Sequence, residues 1–189
     1  MGCDIHGFAE IKKEGKWIRM DGDIFGYEGE YTSIPFHWRS YAVFGFLADV
    51  RNYSHSESIS ECKGLPHDSE YLNSVSPYAY DRNPMNGEDI PESERDTIRK
   101  NLLEGDYHSY SWLTLKELLK FNYDEDLWDR RVSKQIAPNA WSDSQLAEEG
   151  EGEITTYREH LGSLFFSDLE VLKTLGDPED VRIIFWFDS

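Results

Sequence analysis

The chain has 189 residues, with 19 Lys and Arg against 37 Asp and Glu, a formal charge of −18 with His neutral. So negative a surface repels nucleic-acid phosphates and anionic bilayers, which argues against general nucleic-acid binding and against a membrane partner. No apolar run approaches the ~18 residues of a membrane span, and the opening MGCDIHGFAEIKK lacks the basic and apolar regions of a secretory signal. Two cysteines, Cys3 and Cys62, make no disulfide framework and fit a reduced, cytoplasmic setting. Six Trp, 11 Tyr and 10 Phe supply bulky core material. The expectation is one domain over residues 1–189 with an aromatic core and an acidic exterior.

The chain opens as a hairpin. Cys3, Ile5, Gly7, Ala9 and Ile11 alternate with Asp4, His6, Phe8 and Glu10, and Gly15 turns the chain into a second strand at Lys16–Met20. A loop rich in Gly, aromatic and acidic residues follows from Asp21 to Trp38. Its start, Asp21-Gly-Asp23-Ile-Phe25-Gly26, lacks the oxygen ligands of a calcium loop at Phe25 and Thr32 and reads as a turn. Tyr41, Phe44, Leu47, Ala48 and Arg51 recur at helical spacing behind an N-cap at Ser40, with Gly45 inside to admit a close neighbour.

From Asn52 to Asn86 the chain is polar and irregular, and Glu92–Leu103 reads as a short charged helix. Thr114 followed by Glu117 is a capping box, with Leu115, Leu118 and Leu119 as the apolar stripe. Glu148–Glu153 is an acidic, Gly-broken loop. Ser167-Asp-Leu-Glu170 reads as the start of another helix, with Leu169, Leu172 and Leu175 inward and Gly176 as its stop. The chain closes on the β-prone run Val181–Asp188. Strands at both ends with helices between them predict an α+β fold: an antiparallel sheet of N-terminal hairpin and C-terminal strand, with helices on one face.

Several polar groups are candidates for chemistry. Asp4 and His6 share a strand face at a spacing of about 7 Å, suited to gripping a divalent metal such as Mn, Mg or Zn, with Asp188 joining if the terminal strands are neighbours. The alternatives are a solvated strand face, or Arg182 pairing with Asp4. Arg39 and Tyr41, and Arg51 and Asn52, bracket the first helix with cations and aromatic or amide groups, a pattern suited to a phosphate and a base; the alternative is internal ion pairing and packing. His108, Ser109, Ser111 and Trp112 precede the capped helix, where amides and dipole favour an anion and His108 serves as general acid or base; the alternative is capping and anchoring. Cys3 lies on the apolar strand face and reads as a buried thiol. Nucleophile-elbow, phosphate-loop, paired-cysteine and dinucleotide glycine motifs are absent.

The opening Met1–His6, the block Arg39–Asn52, the Gly64-Leu-Pro66 turn, the block His108–Leu115 and the ending Val181–Asp188 together resemble a group of tailed-bacteriophage and prophage proteins. In that group the second block usually reads Arg-Asn-Tyr-Asp, whereas Ser40 and Ala42 stand here for the Asn and Asp. The resemblance implies expression in the cytoplasm of an infected bacterium, where small accessory proteins counter host defences or modify host metabolism; a structural or assembly component of the virion is a further reading. In that setting the residues suggest a binder of a nucleotide-type small molecule such as a cyclic nucleotide immune signal. A metal-assisted hydrolase would use Asp4, His6 and Asp188 for the metal and His108 as the acid. The alternative is an acidic, DNA-mimic-like inhibitor of a basic host protein, supported by the −18 charge. A second copy of the chain is a further possible partner.

Overall fold

The computed structural model describes residues 2–75 and 107–188, which group into two compact units. The first comprises Met1–Arg39, Cys62–Lys120 and Phe166–Ser189, the second Ser40–Glu61 and Phe121–Phe165. The helix expected over Glu92–Leu103 lies outside the described residues.

In the first unit the N-terminal hairpin is β1 (Ile5–Lys13) and β2 (Lys16–Arg19). β1 pairs antiparallel with the C-terminal strand β10 (Val181–Phe187), from Ile5 opposite Phe187 to Ile11 opposite Val181. A fourth strand, β5 (His108–Thr114), completes the order β2-β1-β10-β5. The fold is therefore α+β, with the terminal strands as neighbours, as expected. Since β1 is a central strand, both its faces are covered in the middle: Cys3, Ile5, Ala9 and Ile11 are buried on one side, Phe8 and Glu10 on the other. Phe8 joins Leu65, Leu72 and Ile184 in an apolar cluster edged by Tyr71, Tyr110, Trp112 and Trp186.

Three sequence expectations change. His108–Trp112 does not sit at a helix start but lies within edge strand β5, because its alternating bulky residues pack well on a half-buried sheet. The loop from Asp21 to Trp38 contains a small hairpin, β3 (Phe25–Tyr27) with β4 (Glu30–Thr32), closed at Glu28 and Gly29, both with positive φ. Ser167 is not a cap; it lies inside the helical run that follows the break at Gly162, where Leu169 and Leu172 face inward as expected. Leu175 lies past the helix end at Lys173 and is half-buried. The capping box stands as read. Thr114 Oγ1 accepts from the Glu117 amide at 3.2 Å, and Glu117 Oε2 accepts from the Thr114 amide at 2.8 Å. It starts a helix over Leu115–Lys120, which with Glu70–Val75 lies in the first unit.

The second unit opens on α1 (Tyr41–Ala48), whose N-cap Ser40 accepts from the Val43 amide. α2 (Glu70–Val75) and α3 (Leu115–Lys120) belong to the first unit, and α4 (Tyr157–Lys173) is interrupted at Gly162, φ 76° and ψ 169°. Residues 157–165 of α4 fall in the second unit. Its core is aromatic: Phe46 meets Phe121, Tyr123, Tyr157 and Phe165 at ring-centroid distances of 4.9 to 5.9 Å. β6 (Asp126–Asp129) pairs with β9 (Glu153–Thr156), and β7 (Arg131–Ala137) with β8 (Ala140–Leu146). The acidic loop expected over Glu148–Glu153 is loop as far as Gly152, and Glu153 begins β9.

Gly45 in α1 does admit a close neighbour. A Cβ there would stand 2.9 Å from Asn52 Oδ1 and 3.0 Å from its Cγ. Gly45→Ala is expected to destabilise the protein by about 1–3 kcal/mol despite alanine's better helix propensity, because the crowding exceeds the propensity gain of about 1 kcal/mol. Urea denaturation checks this, and a stabilised variant would show that Asn52 moves aside freely.

Candidate functional site

The terminal strands do bring Asp4, His6 and Asp188 together. Asp188 Oδ1 accepts from the Asp4 amide at 2.7 Å, and its Oδ2 from His6 Nε2 at 3.0 Å. Arg39 occupies both Asp4 oxygens, Nε at 2.7 Å and Nη2 at 2.6 Å. This fork holds the Asp4 carboxyl below its ordinary range. Burial pushes Asp188 upward, but the bonds from His6 and the Asp4 amide outweigh it and the net shift is downward. The Asp4 carboxylate thus already faces a cation. Among the described residues no group of three His, Cys, Asp or Glu side chains is placed to hold a metal ion.

His108 does not join this group. It stands opposite Phe187 in the sheet register and stacks on that ring at 6.2 Å. His6 stands opposite Trp186, one residue away along β10, and so on the other face. The neighbours of His108 have structural partners. Ser109 Oγ shares a hydrogen bond with His108 Nδ1 at 2.9 Å; buried Ser111 accepts from the Lys63 amide at 3.1 Å; and Trp112 carries the Lys63 ammonium 4.3 Å above its ring. Arg182 pairs with Glu10 and Asp68 rather than with Asp4.

The remaining candidates, Tyr41, Arg51 and Asn52, lie in the second unit around the end of α1. Asp49 caps the helix in the left-handed region, and Arg51 and His55 also take positive φ, winding 49–55 into a tight turn. Asn52 staples that turn. Its Nδ2 donates to Asp49 Oδ1 and to the Ser56 carbonyl, both at 2.7 Å, while its Oδ1 accepts from the Ser56 amide and hydroxyl at 3.1 Å. Every polar position of the Asn52 side chain is thus used within the turn that carries Arg51.

This turn forms one wall of a cavity of ≈ 110 Å³ within the second unit. α1 contributes Tyr41 and Ala42, the turn Arg51, Tyr53 and Ser54, β6 Asp129, β7 Arg131, and α4 His160. Tyr41 and Tyr53 meet edge to face at 5.7 Å. The Arg130 amide donates to the Ser54 carbonyl at 3.0 Å, tying the turn to the segment between β6 and β7. Asp129 Oδ1 accepts from the Arg131 amide at 2.9 Å, and its Oδ2 lies 3.7 Å from His160 Nδ1. The His160 side chain is 9% exposed, and its Nε2 is buried without a hydrogen-bond partner. Burial lowers its pKa, partly offset by Asp129, so the ring is neutral at pH 7.

The chain matches no family model, no curated protein and no solved structure. The reading of this cavity therefore rests on its chemistry. It places two guanidinium-bearing residues and two phenols around a small volume, donors suited to a compact oxyanion, with the Asp129 carboxylate and the His160 ring beside them. Sequence reasoning reached Tyr41 and Arg51 and missed Ser54, Asp129, Arg131 and His160. One signal was available: Thr156-Tyr-Arg-Glu159 repeats the Thr-x-x-Glu pattern of the box at Thr114, and the Glu159 amide donates to Thr156 Oγ1 at 3.2 Å. It marks the start of α4, and His160 follows it.

Proposed function

We propose that the protein binds a small phosphate-bearing molecule of the nucleotide type, with the phosphoryl group in the cavity of the second unit. The observation that carries this reading is the joint presence of Arg51, Arg131, Tyr41 and Tyr53 around one cavity. Its size supports a phosphoryl group rather than a whole ligand, since ≈ 110 Å³ is below the roughly 300–1,000 Å³ of sites that enclose drug-sized molecules. The rest of the ligand then lies outside, where the rings of Tyr41 and Tyr53 offer a stacking surface. The setting suggested by the resemblance, an accessory protein acting on a nucleotide signal in an infected bacterium, is compatible with it.

Calorimetric titration with inorganic phosphate, mononucleotides and cyclic dinucleotides tests the proposal. Arg51→Met and Arg131→Met are each expected to weaken binding by roughly 10- to 100-fold, the worth of a charge-assisted contact of about 1.5–3 kcal/mol. Absence of binding across the whole panel would overturn the reading, and retrieval of a basic host protein at low salt only would favour the acidic-inhibitor alternative.

A further inference from the structure

We propose that the outer edge of β8 is where a second copy of this chain docks, so that two β7–β8 hairpins join as one four-stranded sheet in the order β7-β8-β8-β7. The proposal is independent of the ligand cavity.

The hairpin by itself has little to hold it. A two-stranded ribbon alone in water is marginal, and a third strand or a packed face is needed for stability. Yet among the described residues β7 and β8 pair only with each other, and every position in both strands is exposed or half-buried. The solvent face of β8 carries Trp141, 66% exposed, and Leu146, 46% exposed. A bulge keeps both on that face. Ser142 stands opposite Lys134 and Gln145 opposite Val132, so Asp143 and Ser144 together oppose Ser133.

Charge selects the occupant. Two chains of −18 repel each other, so self-association is confined to a face where that sign is lost. The stretch 130–147 is such a face, with Arg130, Arg131 and Lys134 against Asp143 alone. Within it the β8 edge is the open one. Arg131 and Lys134 guard β7, whose first amide already donates to Asp129 Oδ1 at 2.9 Å. By contrast, β8 has one charge in its seven residues. Antiparallel pairing that sets Trp141 opposite the partner's Leu146 also sets Asp143 opposite the partner's Ser144, so like charges are not directly opposed. Because both copies use the same edge, the contact closes at two and leaves the cationic β7 edges outermost.

Sedimentation velocity over a range of protein concentrations tests this. The expected result is a reversible dimer of twice the 22.0 kDa chain mass. Raising salt from about 0.15 M to about 0.5 M should tighten it, since screening weakens the repulsion between acidic copies. Trp141→Lys and Leu146→Lys each place an edge-guarding cation on β8 and are expected to weaken dimerisation at least about tenfold. Tyr27→Lys, at a 55% exposed position of the β3–β4 hairpin, is expected to leave it unchanged. Thermal melting confirms that the variants are folded. A chain that stays monomeric up to about 1 mM overturns the inference. A dimer that salt dissolves overturns it too, because ion pairs then hold it, and a dimer sensitive to Tyr27→Lys but to neither β8 variant overturns the face assigned.

Discussion

Arg182→Met is expected to destabilise the protein by about 3–5 kcal/mol, the largest effect of any single substitution considered, because it strands a buried carboxylate. Arg182 is 2% exposed and Glu10, its cross-strand partner from β10 to β1, is 0% exposed. The guanidinium Nε donates to Glu10 Oε2 at 2.8 Å, and Nη2 lies 2.7 Å from the same oxygen. Its Nη1 donates to Asp68 at 2.7 Å, and Ser69 donates its hydroxyl to the other Glu10 oxygen. The Trp17 ring lies 4.1 Å from the guanidinium carbon, adding a desolvated cation–π contact. Without the arginine, Glu10 still accepts from the Ser69 hydroxyl, which carries no compensating charge.

At this chain length the loss corresponds to a fall of roughly 6–20 °C in melting temperature, at about 2–4 °C per kcal/mol. The double variant Glu10→Gln with Arg182→Met removes both charges and is expected to recover most of it, since replacing a buried pair costs far less than breaking one. Denaturant titration of the two variants decides. A single variant that loses less than about 1 kcal/mol would mean that water reaches Glu10 in its place.

Asp168 leads to a pH dependence of unusual sign. Its carboxylate is 0% exposed and accepts from the Phe36 amide at 2.6 Å and the Gly26 amide at 3.3 Å. These donors anchor two awkward backbone positions: Phe36 has φ 59°, and Gly26, with φ 141°, has no room for a Cβ beside the Glu30 carbonyl. Burial raises the carboxyl from 3.8 to about 6, and the two amides only partly counter it.

A carboxyl raised in the folded state binds its proton more tightly there than in the unfolded chain. Its contribution therefore grows as pH falls from about 6 to 3.8 and is lost again above about 6. Two pKa units correspond to about 3 kcal/mol. The paired acids Asp4 and Asp188 act in the opposite direction, since their lowered values make folding less favourable in acid. The Asp168 term is isolated by comparison with Asp168→Asn, which does not titrate. Wild type should gain on the variant by about 2–3 kcal/mol between pH 7 and pH 4. A difference that stays constant over that range would show that Asp168 is ionised throughout.

Most of the first unit was legible because its signals are local. The alternation from Cys3 to Ile11, the apolar run from Val181 and the Thr114–Glu117 box each lie within a dozen residues, and period and capping chemistry act at that range. The pairing of β1 with β10 followed from their both being strongly β-prone chain ends. The strand at His108 was less legible: its hydroxyls and aromatics suit a helix entry and a sheet edge alike, and only the free edge of β10 selects between them. The strands between Asp126 and Thr156 passed unread because their alternation is weak and much of it is exposed, including Ile136, Trp141 and Ile154.

The charge balance, the aromatic core, the capped helices and the sheet of the two chain ends all follow from composition and short-range pattern, where each residue's effect is felt by its near neighbours. Partner choice does not. Arg39, Arg51 and Arg182 look alike in the chain, yet one grips Asp4, one lines a cavity beside a buried imidazole, and one is sealed against Glu10. His160 and Arg51 are more than a hundred residues apart, and nothing local to either marks the other. Only packing brings them to one cavity, because the cost of leaving a charge or a polar atom unpaired is determined by what surrounds it after the chain has folded.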